Sequence, residues 1–299
     1  PVCGRYRAYE VCGAPPPSSG VAVIEILGLL ERLAPDGVRN DAKGWGQFIQ
    51  AQLLAYADRD HYVGDGDFVD VPLGDLLAQE YLDARAAGAF DPGVAPTAGD
   101  PGAVLRGEPI IDRWGRDSTE EVAGTTHLSV IDPSGNAVSF TASVEFVFGS
   151  QRMAAGFILN NELTDFASIP TLGGKAVANA VQPGKRPRSS MTPTLVFDED
   201  GDLVMATGSP GGNSIIAYTS KSIVGVMEFG LSVADAVGLP NVVARGHPVR
   251  VESVRAPEGF IDALRELGFP IAESAGENSG LHPILLRSGT LEGAADPRR

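Results

Sequence analysis

The stretch "EEVAGTTHLSVIDPSGNAVSFTASVEF", residues 120–146, decides how this chain is read. A polar run without strand pattern gives way at Gly124 to Thr125, Thr126 and His127, two hydroxyls and an imidazole at the first positions of a strand. Thr126, Leu128 and Val130 alternate with Thr125, His127 and Ser129. After a turn, Val138, Phe140, Ala142 and Val144 alternate with Ser139, Thr141, Ser143 and Glu145. Two period-two runs around Asp-Pro-Ser-Gly-Asn predict a β-hairpin. A three-residue loop, Pro133 to Gly135, with Gly135 left-handed, pairs Asp132 with Asn136. Counting back, Phe140 meets Leu128, Thr141 meets His127 and Ser143 meets Thr125. The apolar face is expected to pack inward. The other face gathers Thr125, His127, Thr141, Ser143 and Glu145.

Most polar strand faces are simply solvated. This one carries hydroxyls rather than lysines, and it starts at a Gly-Thr step. Threonine is a weak nucleophile that needs an adjacent base, and its own α-amine is an economical one. That requires Thr125 to become an N-terminus by cleavage after Gly124. Glycine, lacking a Cβ, suits the strained backbone such a step demands.

Upstream, residues 91–124 are rich in Pro, Gly and charge, which predicts a linker or mobile tail. Before them lie three apolar stripes at helical spacing. The first follows "PPPSS", with Ser18 and Ser19 as candidate N-caps; the second runs through Trp45, Phe48, Ile49 and Leu53; the third spans "PLGDLLAQEYLDARAAG". The first ninety residues therefore read as mainly helical. Downstream, "TPTLVF" and "LVMATGS" read as a second hairpin. Helices follow from about Asn213, at "SVADAVG" and at "PEGFIDALRELG", and a last strand at "HPILLRSG". Helices flanking antiparallel strands imply an α+β layered fold.

The 299 residues carry a formal charge of -15, which argues against nucleic acid or an anionic membrane surface as partner. No apolar run is long enough to span a bilayer. Pro1 in place of Met points to a fragment or a processed product, with any signal peptide upstream. Cys3 and Cys12 are read either as a small disulfide or as free thiols. The four histidines are scattered and lack zinc spacing, so no metal or other cofactor is expected. "DRDHYVGDGDF" fails the calcium-loop template and reads as a helix exit and turn.

Taken together, "PPPSSG", "AYADRDHYVGDGDFV", "TTHLSVID", "GNAVS", "LNNELTDF", "GKRPRSSMTPTLV", "GSPGG" and "GAADPRR" resemble, in order, the signatures of the γ-glutamyltranspeptidases, N-terminal nucleophile hydrolases. The resemblance spans almost the whole chain. It implies a four-layer αββα sandwich made by a proenzyme that cuts itself. Residues 1–124 would be the C-terminal part of the large subunit, and 125–299 the small catalytic subunit. The first half of the large subunit, with an arginine that grips the donor carboxylate, would be missing. Thr125 would attack the γ-glutamyl amide of a glutathione-like donor and pass the acyl group to water or to an amino acid or peptide acceptor.

The resemblance further assigns Ser143 as the hydroxyl bonded to the nucleophile, and Gly211 and Gly212 as the oxyanion hole. Glu145, Glu162 and Asp165 would hold the donor's α-ammonium, and Ser189 and Ser190 its α-carboxylate. It implies a periplasmic or secreted location. Two other readings stand beside it: a related acylase of glutaryl or cephalosporin type, and an unprocessed, inactive fragment of the same fold. A Ser-His-Asp hydrolase fits poorly, because no G-x-S-x-G elbow is present.

Overall fold

The computed structural model describes residues 1–121, 124–287 and 289–299. Val122 and Ala123, within the segment read as a linker, and Ser288, at the end of the last strand read, lie outside the described residues. Helices and strands mix throughout. Strands β1 (Val2–Tyr6) and β2 (Tyr9–Gly13) open the chain as an antiparallel hairpin, with Cys3 and Cys12 paired across it and joined as a disulfide. That settles the open cysteine reading. The first ninety residues are otherwise mainly helical, as expected; the strand pair is an addition, hidden in the sequence by its polar outer residues.

β2 continues into a six-stranded antiparallel sheet. Its order is β1, β2, Thr194–Phe197, Leu203–Thr207, Ile284–Arg287 and Thr290–Gly293. The register lines up Val11, Val196, Met205 and Leu285 in one buried row. This row belongs to the main apolar core, together with helix α1 (Gly20–Leu33), helix α2 (Ala42–Tyr62) and the helix Ile215–Met227. Ser19 occupies the N-cap position of α1 without capping it; its hydroxyl donates instead to the Ser189 carbonyl at 2.6 Å. Asp41 does cap α2, accepting from the Gly44 N–H. The third helical stripe breaks into Leu73–Leu76 and Gln79–Ala87.

The segment read as a linker is more structured than expected. It holds a helix, Pro101–Arg106, started by Asp100 and Pro101 and ended by left-handed Gly107. Farther on, the Asp117 N–H bonds the Asp60 carbonyl, and its carboxylate takes the Arg188 guanidinium at 2.9 Å. Short-range signals were there, but six residues are too few to show a period.

β3 (Thr125–Ile131) and β4 (Ala137–Ser143) form the hairpin. Its register is the expected one: Thr125 opposite Ser143, His127 opposite Thr141 and Leu128 opposite Phe140, with Gly135 left-handed at φ 84°. The facing is the reverse of the expectation. Leu128 and Phe140 are 44% and 52% exposed, whereas Thr125 and His127 are 6% and 3% exposed. The polar face lies against strands Leu203–Thr207 and Ile284–Arg287. Ser139 Oγ donates to the Thr207 carbonyl at 2.8 Å and accepts from the Thr194 N–H at 3.0 Å. A Cβ on Gly208 would lie 2.4 Å from the His127 ring, so glycine is what lets the imidazole lie there.

Candidate functional site

The start of β3 and the end of β4 bring Thr125 and Ser143 together. The Thr125 hydroxyl donates to Ser143 Oγ at 3.1 Å, and the Glu145 N–H donates to the same oxygen at 2.8 Å. The Thr125 carbonyl accepts from the Arg299 guanidinium at 3.0 Å. Just upstream, a Cβ on Gly124 would fall 1.8 Å from the Glu145 carbonyl oxygen. Only glycine lets the chain pass so close to that backbone.

Thr125 opens on a nearly filled cavity of about 10 Å³, also lined by Ser143, Glu145, Glu162, Asp165 and Gly212. Ser189 and Ser190 complete its far wall. The sequence-read residues thus converge, with one exception: Gly211 faces a separate, larger cavity of 470 Å³. Gly211 and Gly212 both have positive φ, 140° and 56°, and lead into the helix Ile215–Met227 through the turn Gly212–Ser214.

Carboxylate oxygens of Glu145, Glu162 and Asp165 lie within 4.8 Å of one another. Burial pushes Glu162 up to about 7, with help from Glu145 and Glu121. Burial, then Glu121 and Glu145, also push Asp165 well above the carboxylate range. Crowded carboxylates hold protons until a cation arrives. They could hold a substrate ammonium or, as oxygen ligands, a hard cation.

On the other side of the cavity stands a buried guanidinium that sequence reasoning did not single out. Arg59, in the last turn of α2, donates to Asp60 at 2.8 Å, and to Glu121 and Ser190 Oγ at 2.6 Å each. The Ser190 N–H donates to the second Glu121 oxygen at 2.9 Å. Burial works against the Arg59 charge, but Glu121 and Asp60 more than offset it and raise its pKa. Arg188 lies beside it, also fully buried. Burial and the neighbouring Arg59 lower its pKa. The motifs "ADRD" and "RPRSS" contained these arginines, but only the fold brings them together. Asp58, Asp60 and Asp65 each pair with a different arginine, as a helix exit and turn would have them. Arg186 holds Asp65 down at about 2.

His127 takes no part in this cavity. Its Nδ1 lies 2.8 Å from Thr141 Oγ1, and burial, with His282, pushes it down to about 4.

A family model described as gamma-glutamyltranspeptidase matches residues 1–299. The chain is 34% identical over 309 residues to the glutathione hydrolase proenzyme of Bacillus subtilis (strain 168), covering 100% of this chain and 51% of that protein. It is 33% identical over 306 residues to the acylase ACY 1 proenzyme of Pseudomonas sp. (strain V22), covering 99% and 50%. The solved cephalosporin acylase from Bacillus halodurans shares the fold, with a TM-score of 0.81 at 24% identity over 100% of this chain and 51% of that one. The chain spans about half the length of the curated relatives it matches. No helix among the described residues is long and apolar enough to cross a membrane.

Proposed function

This chain belongs to the gamma-glutamyltranspeptidase family, and from that premise we propose that it is the catalytic part of a self-cutting γ-glutamyl hydrolase and transferase. Residues 1–124 end the large subunit and 125–299 form the small one, within a four-layer αββα sandwich. In maturation the Thr125 hydroxyl adds to the Gly124 carbonyl carbon. The C–N bond breaks, its nitrogen takes the proton, and water hydrolyses the resulting ester. The freed α-amine then serves Thr125 as base.

The mature Thr125 attacks the γ-carbonyl of a glutathione-like donor and releases the amine. Water or an amino acid or peptide amine then takes the γ-glutamyl group from the ester. Ser143 orients the nucleophile, and the Gly211–Gly212 backbone stabilises the oxyanion. Glu145, Glu162 and Asp165 receive the donor's ammonium, while Ser189 and Ser190 take its carboxylate. The observation that carries this reading is the Thr125–Ser143 hydrogen bond of 3.1 Å, at the edge of a cavity lined by three acids and a serine pair. The names of the relatives, glutathione hydrolase among them, agree with it.

The second reading is an acylase, favoured by the likeness to the ACY 1 proenzyme. Three carboxylates beside the nucleophile weigh against a glutaryl donor, whose end is itself an anion. Full-length enzyme assayed on γ-glutamyl and glutaryl anilides decides. Preference for the γ-glutamyl compound is expected, and a strong glutaryl preference overturns the choice. An unprocessed, inactive form stays a third reading. Two bands breaking at Thr125 on a denaturing gel are expected, and one lasting intact band would support the inert form.

A further inference from the structure

Resting on that reading, we infer that Glu121 is a built-in surrogate for the donor's α-carboxylate, seated in a cradle formed by Arg59, Arg188 and Ser190. The cradle is in this chain, so the carboxylate grip does not depend solely on an arginine elsewhere in a longer protein.

Each Glu121 oxygen has a defined partner. One takes the Arg59 guanidinium at 2.6 Å; the other takes the Ser190 N–H at 2.9 Å. Arg59 is fully buried and spends its other donors on Ser19, Asp60 and Ser190. This is how a carboxylate is bound: charge-assisted bonds from a guanidinium on one side and a backbone amide on the other. A second observation shows that the seat is only partly satisfied. Arg188 Nε is buried, has no hydrogen-bond partner, and lies 3.9 Å from the Glu121 oxygen that Arg59 holds. A ligand carboxylate free of tail geometry can turn to meet it.

Charge makes the seat's vacancy costly. Arg59, Arg188 and Arg245 all lie within 4.0 Å of Asp60, and Arg59 and Arg188 also face Glu121. Asp117 also pairs with Arg188, and exposed Glu120 with Arg245. Withdrawing Glu121 therefore removes one of three buried carboxylates that face three arginines, and the buried charge left over calls for a new anion. Glu121 is also the residue shared by the walls of the 10 Å³ and 470 Å³ cavities. Its departure joins them and opens the path to Thr125. Glu121 precedes Thr125 by four residues, so cutting after Gly124 leaves it three residues from a new chain end.

The test uses the full-length precursor fixed uncut by Thr125→Ala, with L-glutamate and 4-aminobutyrate as calorimetric probes. The two differ only in the α-carboxylate. Adding Glu121→Ala is expected to tighten L-glutamate binding by about tenfold or more and to leave 4-aminobutyrate unchanged. An unchanged L-glutamate affinity overturns the inference, as does an equal gain for both probes, which would mean mere opening of a channel. In the processed enzyme, Arg59→Lys and Ser190→Ala are expected to raise KM for γ-glutamyl anilide about tenfold or more, with kcat less affected. They should leave KM for 4-aminobutyryl anilide alone. Equal penalties on both anilides would mark Arg59 as structural. Should Arg59→Lys not fold, Ser190→Ala and the binding experiment decide. Binding as expected without γ-glutamyl turnover would sink the proposed reaction while supporting the carboxylate seat.

Discussion

The two faces of the β3–β4 hairpin differ more than their alternating sequence suggests. One face, Thr125, His127, Ser139, Thr141 and Ser143, turns toward the central sheet, whose backbone Ser139 bonds, and carries the candidate nucleophile. The other face shows Leu128, Val130, Val138 and Phe140, each at least 44% exposed. Alternation says which residues share a face. It does not say which face goes inward. That depends on what the neighbouring surface offers, and here it offers backbone groups at Thr194 and Thr207 that hydroxyls can satisfy.

The contrast is sharpest at Thr125. In the full-length protein, Thr125→Ala is expected to abolish cleavage at Gly124 and reduce turnover by about a thousandfold or more. A gel and an anilide assay read both. The next effect is electrostatic. The fold keeps His127 neutral, its pKa depressed to about 4 from 6.5. The linked stability is present above about 6.5 and is lost as pH falls through about 4, a loss of roughly 3 kcal/mol. Urea midpoints followed against pH should show that slope, flattened in His127→Gln.

Ser139→Ala leaves the Thr207 carbonyl and the Thr194 N–H without their bridge, at a cost of about 2 kcal/mol. Thermal unfolding measures it. On the opposite face, Phe140→Ser in the chain described here should change stability by no more than about 0.5 kcal/mol. A large loss there would mean that the exposed face is covered in solution, and the contrast between the two faces would fail.

Much of this was legible in the sequence, for identifiable reasons. The hairpin register could be counted from its turn, because Gly135 fixes the loop and period two does the rest. The residues around the cavity could be named from their motifs, and the fold brings Thr125, Ser143, Glu145, Glu162, Asp165, Ser190 and Gly212 to one cavity. Other features had no local signal. β1 and β2 are five residues each, with polar edges. The inward face of the hairpin depends on strands some 50 or more residues downstream. The Arg59–Glu121–Ser190 contact joins three segments that are far apart in sequence, each of which alone looks like ordinary surface charge. Burial turned them into a site.

The close pass of Gly124 under the Glu145 carbonyl also sets a rule for anyone who splices a foreign leader ahead of Thr125. Length, charge and composition of the graft are open to choice, but its final residue must lack a β-carbon. An alanine there would push against main chain on the far side of the hairpin, so the fusion would strain the junction before any chemistry began. What may stand directly ahead of Thr125 is thus set partly by a peptide group twenty-one positions downstream of Gly124.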